Sequence, residues 1–327
     1  MLEYVIISSL KVITVVVVVL TGCAYSTYLE RKVVAFMQHR IGPLYAGPYG
    51  LLQPIADAIK LIFKEDLVPE RAERFAYTLA PIIAFMPAMM IFAVVPFSSE
   101  MTLFGHKVSG VISDLNIGVL WVFAVGSLGV YGTILAGWSS GSKYSLLGGL
   151  RASAQTISYE LAYGLSIVGV IILGNTLSMT EIVEQQASIA DWYIFRQPLG
   201  FALFLICAVA ETHRAPFDLP EAESELVAGF HTEYSSMRFS TFFIAEYAHM
   251  IAVGCVGSTL FLGGWQGPFL PPVVWLMIKV FLFMFGYIWL RATLPRFRYD
   301  QLMNFGWKVL FPLAVLNTMI TGLIVLW

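Results

Sequence analysis

The sequence predicts an all-α integral membrane protein with eight transmembrane helices and one amphipathic helix lying in the cytoplasmic-side interface. Three observations carry this. The 327 residues are 58% hydrophobic and 12% charged, about half the charged share of a soluble domain. Apolar runs of about 20 residues, the length that crosses a bilayer, recur along the chain. Basic residues concentrate in alternate connections, as the positive-inside bias requires.

The predicted spans are residues 4–28, 77–97, 114–138, 153–174, 198–211, 239–263, 272–293 and 307–327. The fifth is short before Glu211, so it starts earlier or is tilted. Lys107 and Arg196 fall in the even connections and Lys11 and Lys279 within spans; every other one of the 19 basic residues lies in an odd connection or, as Arg291 and Lys308, at the span end that borders one. Both termini are therefore expected on the non-cytoplasmic side. No internal repeat, low-complexity tract or linker divides the chain, and residues 1–327 read as one integral domain.

Near the N-terminus, Leu20-Thr21-Gly22-Cys23 has the outline of a lipoprotein cleavage box. The run continues without acids to Glu30-Arg31-Lys32 and polytopic sequence follows, so a span is expected instead. Cys23, Cys207 and Cys255 each sit in an apolar run with no paired spacing, which predicts packing rather than disulfides or metal. The net charge of -2 argues against a nucleic-acid partner. Between the first two spans, Leu51, Ile55, Ile59, Ile62 and Phe63 recur at helical spacing with Gln53, Asp57, Lys60 and Lys64 elsewhere on the wheel. Such a helix lies in the interface, either under its own bundle or as the portal of a cleft for a lipid-like molecule.

The stretch from Glu211 to Tyr234 carries Glu211, Asp218, Glu221, Glu223, Glu225 and Glu233 against Arg214, flanked by apolar spans. Crowded acids beside lipid hold protons with raised, coupled affinities, which makes a place to load or release protons. Pro216 and Pro220 interrupt any helix through its middle, and Glu221 and Glu225 fall on one face of a helix starting after Pro220. The competing reading is a solvated loop capping the next helix. Within the spans, Glu160 lies about 10 Å deep, and Glu246 lies near the middle third of the sixth with His249 one turn on. Acids at such depth mark ion or proton routes unless stapled to a neighbouring helix. Glu30, at the end of the first span, is equally consistent with charge snorkelling at a membrane edge. His213 and His231 stand isolated and read as structural. There is no dinucleotide fingerprint, phosphate-binding loop or His/Cys cluster, so no metal and no redox cofactor held by this chain alone is expected.

Three blocks match a known family. Glu30-Arg31-Lys32 through Arg40-Ile41-Gly42-Pro43 and Gly47 to Lys60 form the first, Pro216-Phe217-Asp218 with Glu223-Ser224-Glu225-Leu226-Val227 the second, and Pro295-Arg296-Phe297-Arg298-Tyr299-Asp300-Gln301 the third. Over nearly its whole length the chain resembles the quinone-site membrane subunit of respiratory complex I, the proton-pumping NADH:quinone oxidoreductase. Tyr45 and Ala46 depart from the usual residues after Gly-Pro, and Pro220 and His231 vary among relatives. The resemblance implies eight spans and an interfacial helix beneath a peripheral arm, in the bacterial cytoplasmic (inner) membrane. Quinone, the substrate, would enter from the bilayer through a tunnel whose mouth this chain forms, with iron–sulfur clusters and FMN held by partner subunits. By position, Glu30, Glu160, Glu211, Asp218, Glu221, Glu223, Glu225 and Glu246 would form an acidic proton route toward antiporter-like and small membrane subunits. Arg31, Asp57, Lys60, Arg291, Arg296 and Arg298 would line or brace the quinone passage. The rivals are a membrane-bound hydrogenase subunit or another complex I relative with a different electron donor, a secondary cation transporter, and a purely structural anchor, which leaves the buried acids without a reason.

Overall fold

A computed structural model describes residues 2–99, 101–103, 106–220 and 223–327. The chain is all-α and membrane-integral. The helices are α1 (Leu2–Met37), α2 (Gln53–Ile62), α3 (Arg74–Met90), α4 (Gly118–Ser139), α5 (Lys143–Gly174), α6 (Met179–Glu184), α7 (Tyr193–Arg196), α8 (Pro198–Glu211), α9 (Glu223–Leu226), α10 (Ser236–Phe261), α11 (Pro272–Thr293), α12 (Tyr299–Phe305) and α13 (Phe311–Leu326). A short antiparallel pair, β1 (Met101–Leu103) and β2 (His106–Val108), lies between α3 and α4. A π turn, Gly306–Leu310, joins α12 to α13 into one continuous helix.

Among the described residues, seven helices are long and apolar enough to cross a membrane, and α8 has only 14 residues. At 1.5 Å per residue α8 measures about 21 Å, short of a hydrocarbon core about 30 Å thick. It stops at Glu211 because His213 takes a left-handed backbone (φ 52) and Pro216 follows. The fifth expected span, 198–211, is thus a partial one. The first span departs in the opposite sense: α1 has 36 residues and measures about 54 Å. Glu30 therefore lies within the helix, and its side chain is buried.

Two helices form the centre. In α5 and α10, 50% and 56% of the apolar window is buried, against 6% for α1. α5 packs on α4, α8 and α13, while α10 packs on α3, α1 and α11. Tyr159, Ile167, Phe204 and Phe261 are fully enclosed between them, and Cys23, Cys207 and Cys255 are buried in the same core. Polar side chains in this interior pair with one another: Gln197 donates to Thr321 Oγ1 at 2.6 Å and accepts from Asn317 at 3.1 Å, tying α13 to the start of α8. An apolar groove of about 750 Å³ opens between α8 and α11, lined by Leu205, Phe283, Tyr287 and Trp289 among others.

Within a bilayer, small residues let helices approach closely. A Cβ added at Gly132 of α4 would meet the backbone nitrogen of Ala84 on α3 at 2.6 Å, and one at Gly137 would meet the Ser145 carbonyl of α5 at the same distance. α4 is thus clamped on both sides by missing side chains. Gly129, on the same helix, has nothing within 4 Å. Gly132→Val should cost about 1–3 kcal/mol by forcing α3 from α4, read as a lower melting temperature of the purified protein in detergent, whereas Gly129→Ala should leave that temperature unchanged or slightly raised.

Candidate functional site

The acidic stretch is not a solvated loop. After Glu211 the chain turns back into the bundle, burying Phe217, Leu219, Leu226, Phe230 and Tyr234. Helix ends leave carbonyls unpaired, and a buried side chain on α5 supplies the donors: Gln155 Nε2 donates to the Ala210 carbonyl at 2.9 Å and the Phe217 carbonyl at 2.7 Å. Phe217 packs between Tyr159 and Phe297, and the Phe297 amide donates to the Pro216 carbonyl at 3.1 Å. The stretch is therefore fixed to α5 on one side and to the segment after α11 on the other.

Its single basic residue forms the centre of a buried charge network. Arg214 is 6% exposed. Its Nε lies 2.8 Å from Glu246 Oε1, and its Nη1 lies 3.3 Å from Glu30 Oε1. Arg291 of α11 also binds Glu30 Oε1. Tyr247 donates its hydroxyl to Glu30 Oε2 at 2.5 Å and places its ring under the Arg214 guanidinium, 4.6 Å from centroid to Cζ. Two carboxylates thus face two guanidiniums, which is how buried charge becomes tolerable. Burial opposes the Arg214 charge, but Glu246, Tyr247 and Glu30 outweigh it and raise the guanidinium above its ordinary value.

Beside this network, Glu211 is buried, with Oε1 3.9 Å from His249 Nε2. Glu160 of α5 accepts from the Ser127 hydroxyl of α4. Glu160, Glu211, Tyr163 and His249 line a cavity of about 20 Å³. Glu211 and His249 also line a second cavity of about 100 Å³, whose wall includes Glu246, His213, His231, Thr133 and Thr156. His213 is held by Thr156, Nε2 to Oγ1 2.9 Å.

The interfacial helix is joined to the same region. Its face of Ile55, Ile59 and Ile62 with flanking Leu51 and Phe63 is exposed, as the periodicity predicts. Asp57 pairs with Arg31 of α1 at 2.6 Å and accepts from Gln53 at 2.9 Å. Beyond α2, Ser236 donates to the Leu61 carbonyl at 3.0 Å, the Leu67 amide donates to Ser235 at 2.9 Å, and Arg238 pairs with Asp66 at 3.4 Å. Tyr234 stacks on Tyr77 of α3 at 4.1 Å, and burial pushes its phenol up to about 12. The end of the interfacial helix is thus bound to the head of α10, directly after the acidic stretch.

Of the residues singled out from the sequence, Glu30 and Arg291 share the charge network with Glu246, and Glu246 also joins Glu160 and Glu211 around the paired cavities. Asp218 pairs with Arg296 at 3.0 Å and Glu225 with Arg151 at 2.6 Å, outside the linings of both cavities. Arg298 is exposed beside Asp300, and Lys60 is exposed on α2. Glu221 lies outside the described residues, as does the side chain of Glu223, whose backbone opens α9. Arg214, Tyr247, Gln155, Ser127 and Thr156 were not legible as site residues. For Arg214 the signal was present, because one cation among so many acids in an apolar setting must be shared by them. His213 and His231, which read as isolated in the sequence, stand on one cavity wall.

Comparison with known proteins agrees. The profile of the family described as NADH dehydrogenase matches residues 10–322. The second H-type subunit of NADH-quinone oxidoreductase from Geobacter metallireducens is 55% identical over 99% of this chain and 97% of its own length. The first H-type subunit from Geobacter sulfurreducens is 56% identical over 96% and 94%, and the H-type subunit from Thermomicrobium roseum is 57% identical over 93% and 92%. With that likeness running nearly end to end, the chain belongs to the NADH dehydrogenase family, among the H-type subunits of NADH-quinone oxidoreductase.

Proposed function

We propose that this chain is the membrane subunit of a proton-translocating NADH-quinone oxidoreductase that forms the quinone entry passage with partner subunits and couples quinone reduction to proton movement through buried carboxylates. The observation that carries this reading is the convergence of Glu160, Glu211 and Glu246 on two touching cavities, with Glu246 also bound to the Arg214, Glu30 and Arg291 network. Acids at such depth are costly and are kept where protons move.

In this reading quinone arrives from the bilayer where α2 rests against α1 and α10. The exposed apolar face of α2 suits a lipid-like tail, and Arg31, Asp57, Lys60, Arg296 and Arg298 line or brace the way in. Electrons come from clusters in a peripheral arm, so this chain's residues act on charge and protons. Reduction of the quinone headgroup consumes protons and changes the local charge. Arg214 responds because Glu30 and Glu246 compete for it: weakening one pairing strengthens the other. Glu246 is thereby shifted between a paired carboxylate and a proton acceptor, and the change passes through the cavities to Glu211 and Glu160, then to antiporter-like and small membrane subunits. Asp218, Glu221, Glu223 and Glu225 lie on the loop that must rearrange between the two states. The drive is the difference in interaction of oxidised and reduced quinone with those states. The basic connections face the cytoplasm of a bacterial cell, with both termini on the opposite side of the inner membrane.

Two outcomes test this. In the intact complex reconstituted in vesicles, Glu211→Gln should lower quinone reductase and proton pumping together by about tenfold or more; pumping at the normal rate would reject the route. Arg214→Met leaves Glu30 and Glu246 buried with less counter-charge and should destabilise the subunit by about 3–5 kcal/mol, measured as a fall in the thermal stability of the assembled enzyme. The companion variant Glu246→Gln should recover little of it, because Glu30 still needs Arg214.

A further inference from the structure

His249 stands where the two cavities meet. Gly126, Glu211 and His249 line both. Glu160 faces the smaller and Glu246 the larger. On α10, Glu246 and His249 are three residues apart and so share a face. Across the gap, His249 Nε2 lies 3.9 Å from Glu211 Oε1. That is beyond hydrogen-bonding distance, and the ring turns about a soft terminal torsion. The wall of the shared cavity is open at Gly126, where an added Cβ would have nothing within 4 Å.

The groups facing this imidazole come from every neighbouring element. α5 presents Glu160, α8 presents Glu211, the loop presents His213 and His231, and α10 itself presents Glu246, whose carboxylate is held by Arg214. A carboxylate bound to a guanidinium on one side needs a carrier on the other to exchange protons with a second acid. Imidazole suits that task, because one ring nitrogen accepts a proton while the other releases one, and the ring ends neutral as the opposite tautomer.

We propose that His249 is a proton relay between Glu246 and Glu211, with Gly126 providing the space in which its ring turns. The proposal rests on the reading of Glu211 and Glu246 as proton carriers. It assigns to this chain a histidine in a route otherwise made of carboxylates.

The test uses the intact complex in vesicles, normalised to assembled enzyme. His249→Gln keeps a polar side chain of similar reach without a titrating ring, and it should lower quinone-reductase turnover and proton pumping together by about tenfold or more, with the KM for quinone unchanged. Gly126→Leu, which leaves His249 in place but fills the junction, should do the same. In His249→Ala, added 4-methylimidazole should restore at least half of the lost turnover, a response that a packing role would not give. Full turnover and pumping in His249→Gln would overturn the proposal, as would a deficit in assembled His249→Ala that 4-methylimidazole leaves untouched. Glu211→Gln and Glu246→Gln run beside these variants separate the two readings. Normal pumping in both would reject the route itself, whereas a block there with none in His249→Gln rejects only the relay.

Discussion

Charge in an apolar bundle must be answered by charge, and in this protein the answer centres on the Arg214 guanidinium. Arg214 is sequestered from water with Glu246 on one side and Glu30 on the other, over the ring of Tyr247. Those partners come from α1 and α10, with Arg291 arriving from α11. Removing Arg214 leaves two buried carboxylates short of counter-charge, a cost of several kcal/mol. The network thereby fixes where the acidic stretch re-enters the bundle and how far α1 must extend.

Once that stretch is folded inward, the remaining constraint is its backbone. A turn inside a bilayer-spanning bundle has carbonyls and amides that lipid cannot satisfy. Gln155 takes two of the carbonyls, and the Phe297 amide takes another. The aromatic contacts of Phe217 and the stack of Tyr234 on Tyr77 fill the space around them. The same region is thus rigid at its two ends, while a cavity of about 100 Å³ lies along its middle. Glu211, Glu246, His213, His231 and His249 face that hollow from a largely apolar wall.

Packing produces that hollow as well as the clamp around it. On α4, Gly132 and Gly137 bring α3 and α5 to near backbone contact, whereas Gly126 and Gly129 face open space. One helix carries both uses of glycine, close approach on two sides and vacancy on a third. The short α8 contributes in a related way: it ends at Glu211, whose buried carboxyl lines both cavities.

By itself the sequence determined the helices, because length and apolarity suffice to define a span and the 3.6-residue period suffices to define α2. It also pointed, through three blocks of residues, to the family. It left open whether residues 211–234 face solvent, since the same Pro, Asp and Glu serve a loop or a buried turn. It left the setting of Glu30 ambiguous, because hydropathy averages over a window and cannot see that this side chain is buried against other helices. Only the tertiary structure decided that Arg214 is shared by carboxylates far apart in the chain, and that histidines with no common sequence motif face one cavity. The physical reason is that periodicity is a property of neighbours along one helix, whereas neutralising buried charge and enclosing a cavity require side chains from several helices at once.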